Sequence, residues 1–225
     1  YGSALKACGL SETVASGTSV TYEPISASFS SVTIHYNIDG VRHIVTGCRG
    51  NVALSTEVGS IPTLDFTFTG IYNAPTDTAL PSVTYGNQAT PLIFKNGNTS
   101  SFALLSFAGA LQSLSFDMGN SLVYRELVGG TKEVLLTDRA ANGSVTIEAP
   151  TMAQKDYFAA ALTDTSLGNI QVTHGTTAGN ICKFSSTKVD IGDVSYGEMD
   201  GVNMLEIPYT LVPSTANDEL QFLFT

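Results

Sequence analysis

The feature that most constrains this chain is a period of two. From Leu64 to Thr69 apolar and polar residues alternate without a fault, with Leu64, Phe66 and Phe68 on one side and Asp65, Thr67 and Thr69 on the other. That pattern belongs to a strand lying between a core and solvent. It returns near the C-terminus, where Leu205, Ile207, Tyr209 and Leu211 oppose Met204, Glu206, Pro208 and Thr210. Strands are expected at 19–23, 31–37, 41–46, 52–56, 64–72, 102–118, 122–127, 133–137, 145–149, 169–173, 182–191, 204–212 and 220–224. Each run is rich in Val, Ile, Thr or Phe and is bounded by Gly, Pro, Asn or Asp. The fold expected is mainly β.

Helical signals are few. Tyr1 to Leu10 reads as the end of a helix stopped at Gly9, with its start expected upstream of Tyr1. Thr151 to Thr163 carries a capping box, Thr151 with Gln154, followed by an Ala-rich run with Phe158, Ala161 and Leu162 at helical spacing, which predicts a helix over 151–163.

Two segments echo one another. Ser30–Glu57 and Gln112–Glu148 each run from an alternating strand through an Asn-containing turn to a second strand, then to an Arg ahead of an Asn and a third strand (Arg49, Asn51, Val52; Arg139, Asn142, Val145). A second echo matches Asp65 with Glu206 but needs a different register. Between the copies, residues 73–101 dissolve into Pro, Asn, Thr and Gly, longer than an ordinary loop. The chain is therefore expected to hold a first β-domain over 1–72, a linker or arm over 73–101, and a second β-domain over 102–225.

Charge narrows the function. Of 225 residues only 13% are charged against 43% hydrophobic, so a sizeable core is expected; a formal net charge of −10 argues against sequence reading of DNA through a basic patch. Cys8, Cys48 and Cys182 make an odd, widely spaced set that fits a reducing cytoplasm rather than a disulfide framework. No run of residues is apolar for long enough to predict a membrane helix.

Catalytic and metal motifs are weak. His35, His43 and His174 share no face with a partner ligand, and the cysteines form no C-x-x-C pair. Gly129, Gly130, Thr131 and Lys132 read as a hairpin turn rather than a phosphate loop. The acidic group Asp190, Asp193, Glu198 and Asp200 lacks the spacing of a calcium loop. A hydrolase using Glu198 or Asp200, or a glycan-binding β-sandwich or adhesin presenting Tyr22 or Tyr85, are the alternatives from other classes. The absence of Trp weighs against a sugar groove. No metal or cofactor is expected.

Several phrases carry a resemblance: Ala7–Ser26, Gly40–Leu54, Phe66–Pro81, Gly143–Thr151, Thr173–Asn180 and Leu211–Leu220. In this order they resemble the tail tube, or major tail, proteins of bacteriophages with long non-contractile tails. The resemblance implies tandem tail-tube-type β-sandwich or barrel-forming domains with a flanking helix. It implies a structural virion protein with no catalysis, assembled in the bacterial cytoplasm into stacked rings with other tail proteins. Double-stranded DNA would pass through their bore without specific binding. Two units per chain lead to the expectation of a trimeric ring with pseudo-sixfold symmetry. Asp65 and Glu206 are then candidates for the lumen, and Asn73, Asp77, Tyr85, Lys95 and Asn98 for linker or inter-ring contacts.

Overall fold

A computed structural model describes residues 1–86, 89–163 and 167–225. Its elements, in chain order, are α1 (Gly2–Ala7), β1 (Leu10–Ala15), β2 (Ser19–Pro24), β3 (Val32–Ile38), β4 (Val41–Glu57), β5 (Thr63–Asp77), β6 (Thr99–Leu104), β7 (Leu111–Asp117), β8 (Asn120–Arg125), β9 (Glu133–Arg139), β10 (Asn142–Glu148), α2 (Tyr157–Ala161), β11 (Gly168–His174), β12 (Cys182–Ile191), β13 (Ser195–Met199), β14 (Val202–Leu211) and β15 (Gln221–Phe224). All but β8 and β9 belong to one 13-stranded antiparallel sheet. The mainly β expectation holds.

That sheet folds over on itself. One layer runs β13–β14–β10–β7–β4–β5; the other runs β6–β11–β12–β15–β2–β1. Strand β12 serves both, pairing with β11 between Cys182 and Val189, with β15 over Cys182–Ser185 and with β14 over Val189–Ile191. Phe116 on β7 meets Phe184 on β12 and Phe222 on β15 at ring-centroid distances of 4.9 and 5.8 Å, so aromatic packing joins the layers. Val52, Leu114, Val145, Ile147 and Ile207 fill the same core, which reaches from Leu5 to Phe222.

Several strands differ from their expected limits for local reasons. Strand β4 is 17 residues long and unites the predicted 41–46 and 52–56 strands through a bulge between Thr46 and Arg49, where Gly47 has φ +61°. The predicted 102–118 strand is cut in two by Leu105 and Ser106, both with positive φ. The hairpin expected around Gly129 joins β8 to β9. Strand β13 was not expected; it forms a two-residue Asp200–Gly201 hairpin with β14, both residues at positive φ as such a turn requires.

The helix expected over 151–163 is reduced to Tyr157–Ala161. Asp156 takes the N-cap, its Oδ1 accepting from the Ala159 amide at 2.8 Å. Thr151 and Gln154 bond to each other as the capping box suggests, but they close a separate turn ahead of the helix.

The echoing segments take different pairing schemes. Strands β3 and β4 pair with each other, whereas β7 pairs with β4 and β10, and β8 pairs with β9. Strand β4, from the first segment, thus lies directly beside β7, from the second.

Candidate functional site

The layer β13–β14–β10–β7–β4–β5 buries only one of its faces. Residues opposite one another in an antiparallel pair share a face, so the registers define what the other face presents. One row reads Asp65, Ala53, Asp117, Asn142, Thr210 and Asp190; the next reads Thr63, Ser55, Ser115, Ser144 and Pro208; a third reads Glu57, Ser113, Thr146, Glu206 and Ser195. Asp65, Ser55, Glu57, Asn142, Ser144 and Glu206 are exposed, while their neighbours in sequence, Leu54, Leu114, Phe116, Val145, Leu205 and Ile207, are buried.

These rows contain carboxylates, hydroxyls and amides and no Lys or Arg. Ser115 and Ser144 share a hydrogen bond at 2.8 Å across β7 and β10; Thr63 donates to Asp65 at 3.2 Å, and Gln112 to Glu57 at 3.2 Å. The face is thus a polar, acid-bearing surface whose polar groups partly satisfy one another. Behind it, Gly143 lets the Tyr209 ring lie flat against β10, and the Tyr209 hydroxyl donates to the Ser115 carbonyl at 2.7 Å. A side chain at 143 would strike that carbonyl and the ring.

Where the face meets the hairpin β8–β9, its hydrogen bonds become denser. Asp117 accepts from Asn51 Nδ2 and from the Gly119 amide, each at 2.7 Å, and Asn120 Nδ2 donates to the carbonyls of Cys8 and Gly50. Arg49, next on β4, spends its guanidinium on the carbonyls of Val134 and Phe29 at 2.5 and 3.2 Å. That cation is held by backbone dipoles instead of projecting over the acidic rows.

Arg139 is tied down in the same way. It donates to the Ile25 carbonyl at 3.0 Å and pairs with Glu219, both side chains largely buried. The two arginines that made the sequence echo are therefore cross-braces. Glu219, the buried partner, escaped sequence reading because nothing in Asn217–Leu220 separates a buried acid from a solvated turn.

The structure brings Asp65 and Glu206 onto the same polar face, at opposite margins. It does not gather the residues of 73–101 in that way. Asn73 is half-buried in β5, its Nδ2 donating to Thr46 Oγ1 and the Ile71 carbonyl, both at 3.0 Å. Asp77 is exposed at the end of β5, opposite Val41. Tyr85 is 67% exposed. Lys95 and Asn98 belong to a turn fastened to the body: the Lys95 carbonyl accepts from the amides of Asn98 and Thr99, and Asn98 Nδ2 reaches the Ile93 carbonyl at 2.9 Å. Beside this turn, Phe94 is buried and exchanges backbone hydrogen bonds with Gly59 and Ser60.

The side chains considered for other chemistry are scattered. Tyr22, a candidate exposed aromatic, is 4% exposed; its hydroxyl donates to Glu12 at 2.6 Å, and burial raises its pKa. Glu198 sits exposed on β13 and Asp200 at the hairpin tip, apart from Asp190 at the far end of β14. His174 bonds Thr99 and the Leu92 carbonyl, fastening the 89–98 stretch to β11. Cys8, Cys48 and Cys182 are all free. Among the described residues no cluster of three or more His, Cys, Asp or Glu is placed to hold a metal ion, and no helix is long and apolar enough to cross a membrane.

No curated protein matches the chain. The family described as phage tail tube protein matches residues 1–211. The chain therefore belongs to the phage tail tube protein family, a structural component of the virion tail.

Proposed function

We propose that copies of this chain assemble, with other tail proteins, into stacked rings, and that the polar face of the layer β13–β14–β10–β7–β4–β5 lines the bore through which double-stranded DNA passes. The observation that carries this reading is a broad open sheet face bearing Glu57, Asp65, Asp117, Glu148 and Glu206 but no Lys or Arg, with Arg49 at its edge held by carbonyls. Every cation that touches a phosphate releases counterions and binds the duplex, so a cation-free wall lets it slide. Asp65 and Glu206 are lumen residues in this reading, and the wall adds repulsion rather than a foothold.

The free edges of β5 and β13 lie at the two margins of the same layer. Pairing between neighbours at such edges closes a sheet into a barrel and removes the exposed backbone that would otherwise aggregate. A three-chain ring follows if 1–72 and 102–225 act as two equivalent units joined by 73–101, as the sequence echo suggests. A six-chain ring follows if the continuous sheet and shared core act as one. Assembly takes place in the host cytoplasm, and the protein does no catalysis.

Electron microscopy of the purified protein tests the assembly. Hollow tubes or stacked rings are expected, and end views count the chains. A monodisperse monomer at high concentration contradicts the proposal.

A further inference from the structure

The connection from β2 to β3, residues 25–31, carries the chain out of the layer β6–β11–β12–β15–β2–β1 and into an arm made of β3, residues 41–46 of β4 and 71–77 of β5. This connection has no regular structure of its own, and Ser26, Ala27 and Ser28 at its apex are exposed. Ser28 holds a φ of +57°. A non-glycine residue keeps such a conformation only where its surroundings impose it.

Two arginines grip the connection at its two ends. At the start, Arg139 Nη1 donates to the Ile25 carbonyl at 3.0 Å, and Nη2 reaches Asn217 Oδ1 at 3.4 Å, the same oxygen that accepts from Ser26 Oγ at 2.5 Å. At the finish, Arg49 Nη2 donates to the Phe29 carbonyl at 3.2 Å, and its guanidinium lies 6.0 Å from the Phe29 ring centroid. Each arginine is fixed in turn from elsewhere, Arg49 by the Val134 carbonyl on β9 and Arg139 by Glu219 just ahead of β15. Strands β4 and β9 and the turn before β15 thus converge on one short connection.

We propose that Arg49 and Arg139 form a two-point clamp, closed by Glu219, that locks the 25–31 connection and so sets the direction in which β3 and its arm leave the body. It is a conformational device rather than part of the core: the clamp holds carbonyls of the connection, and neither Ile25 nor Phe29 belongs to the buried cluster. Glu219 stands two residues ahead of β15, which pairs with β2. The clamp therefore closes only when that last strand is seated, and the arm takes its set in a completely folded chain.

Electron–electron distance measurements between two spin labels on the full chain test the lock, with labelled chain diluted into unlabelled chain so that only distances within one copy are read. One label goes on the arm at Thr76→Cys and one on the body at Val14→Cys, both exposed positions; a Cys182→Ser background leaves only the buried Cys8 and Cys48. The parent should give one narrow distance. Arg49→Lys, Arg139→Lys and Glu219→Gln should each broaden that distribution about twofold, because an ammonium cannot hold two acceptors in the guanidinium's fixed fork and an amide cannot replace the carboxylate that orients it. Arg125→Met, which breaks the exposed pair with Glu133, should not. A second label pair wholly in the body, Val14→Cys with Glu148→Cys, should keep its width throughout. Phe29→Leu removes the ring beside Arg49 and leaves every buried charge in place, so it should broaden the arm distance even if a charge variant fails to fold. An arm distance as narrow as the parent's in the folded variants, or equal broadening of the body pair, overturns the clamp.

Discussion

Along β4 and β5 one alternation of apolar and polar residues runs from the body into an arm made of β3, residues 41–46 of β4 and 71–77 of β5, covered by a second layer in the body and bare in the arm. In the body, Val52 and Leu54 share one buried core with Phe116, Phe184 and Phe222, and Phe66 packs against it. In the arm, Tyr36 and Tyr72 occupy the same face and meet solvent. An identical local pattern can therefore be buried at one end of a strand and bare at the other. What decides is whether a partner layer reaches that far.

Removing one aromatic from each region separates the two. Phe116→Ala should lower the stability of the isolated chain by about 3–5 kcal/mol in chemical denaturation. Tyr36→Ala should change it by no more than about 0.5 kcal/mol, as expected of a surface position. Equal losses would mean that the arm face is part of the monomer's core.

The ion pairs offer the same contrast. Arg139→Met leaves Glu219, 6% exposed, as a buried charge without its partner and should cost about 3–5 kcal/mol. Lys132→Met breaks the exposed, solvent-screened pair with Glu126 and should leave the melting temperature essentially unchanged. Gly143→Ala falls between, at about 1–3 kcal/mol, because its methyl group must displace the Ser115 carbonyl or the Tyr209 ring.

The thiols report on burial at the smallest scale. Burial pushes Cys8 and Cys182 up to about 12, so both stay protonated near pH 8; Cys8, fully buried, should resist alkylation until the chain unfolds, and Cys182, partly exposed, should react before it. A group whose folded value lies above its unfolded one stabilises fully below the unfolded value. This contribution is therefore lost progressively as pH rises from about 9, the ordinary thiol value, to about 12. Rapid labelling of Cys8 in the folded chain at pH 8 would contradict this.

Much of the body was legible because a period of two is written residue by residue. The alternation at Leu64–Thr69 and Leu205–Thr210 identified both strands and placed Asp65 and Glu206 on the non-core side. Strand β13 was missed although its Asp200–Gly201 turn carries a hairpin signature, because the surrounding acids read as a solvated loop. Which strands become neighbours was not legible: nothing local in β4 or β7 announces that they pair. The polar face needed that information, since it exists only once residues from β5, β4, β7, β10 and β14 stand in register. The arm was hidden for a related reason, as alternation shows which side is apolar but not whether anything covers it.

In the proposed tube this polar face is the wall of the bore. A tube reconstruction at side-chain resolution tests it most directly: Asp65, Ser144 and Glu206 should point into the lumen, with the Phe116–Phe184–Phe222 core radially outside them. Finding Asp65 and Glu206 on the outer surface of the tube, or buried between rings, would contradict it.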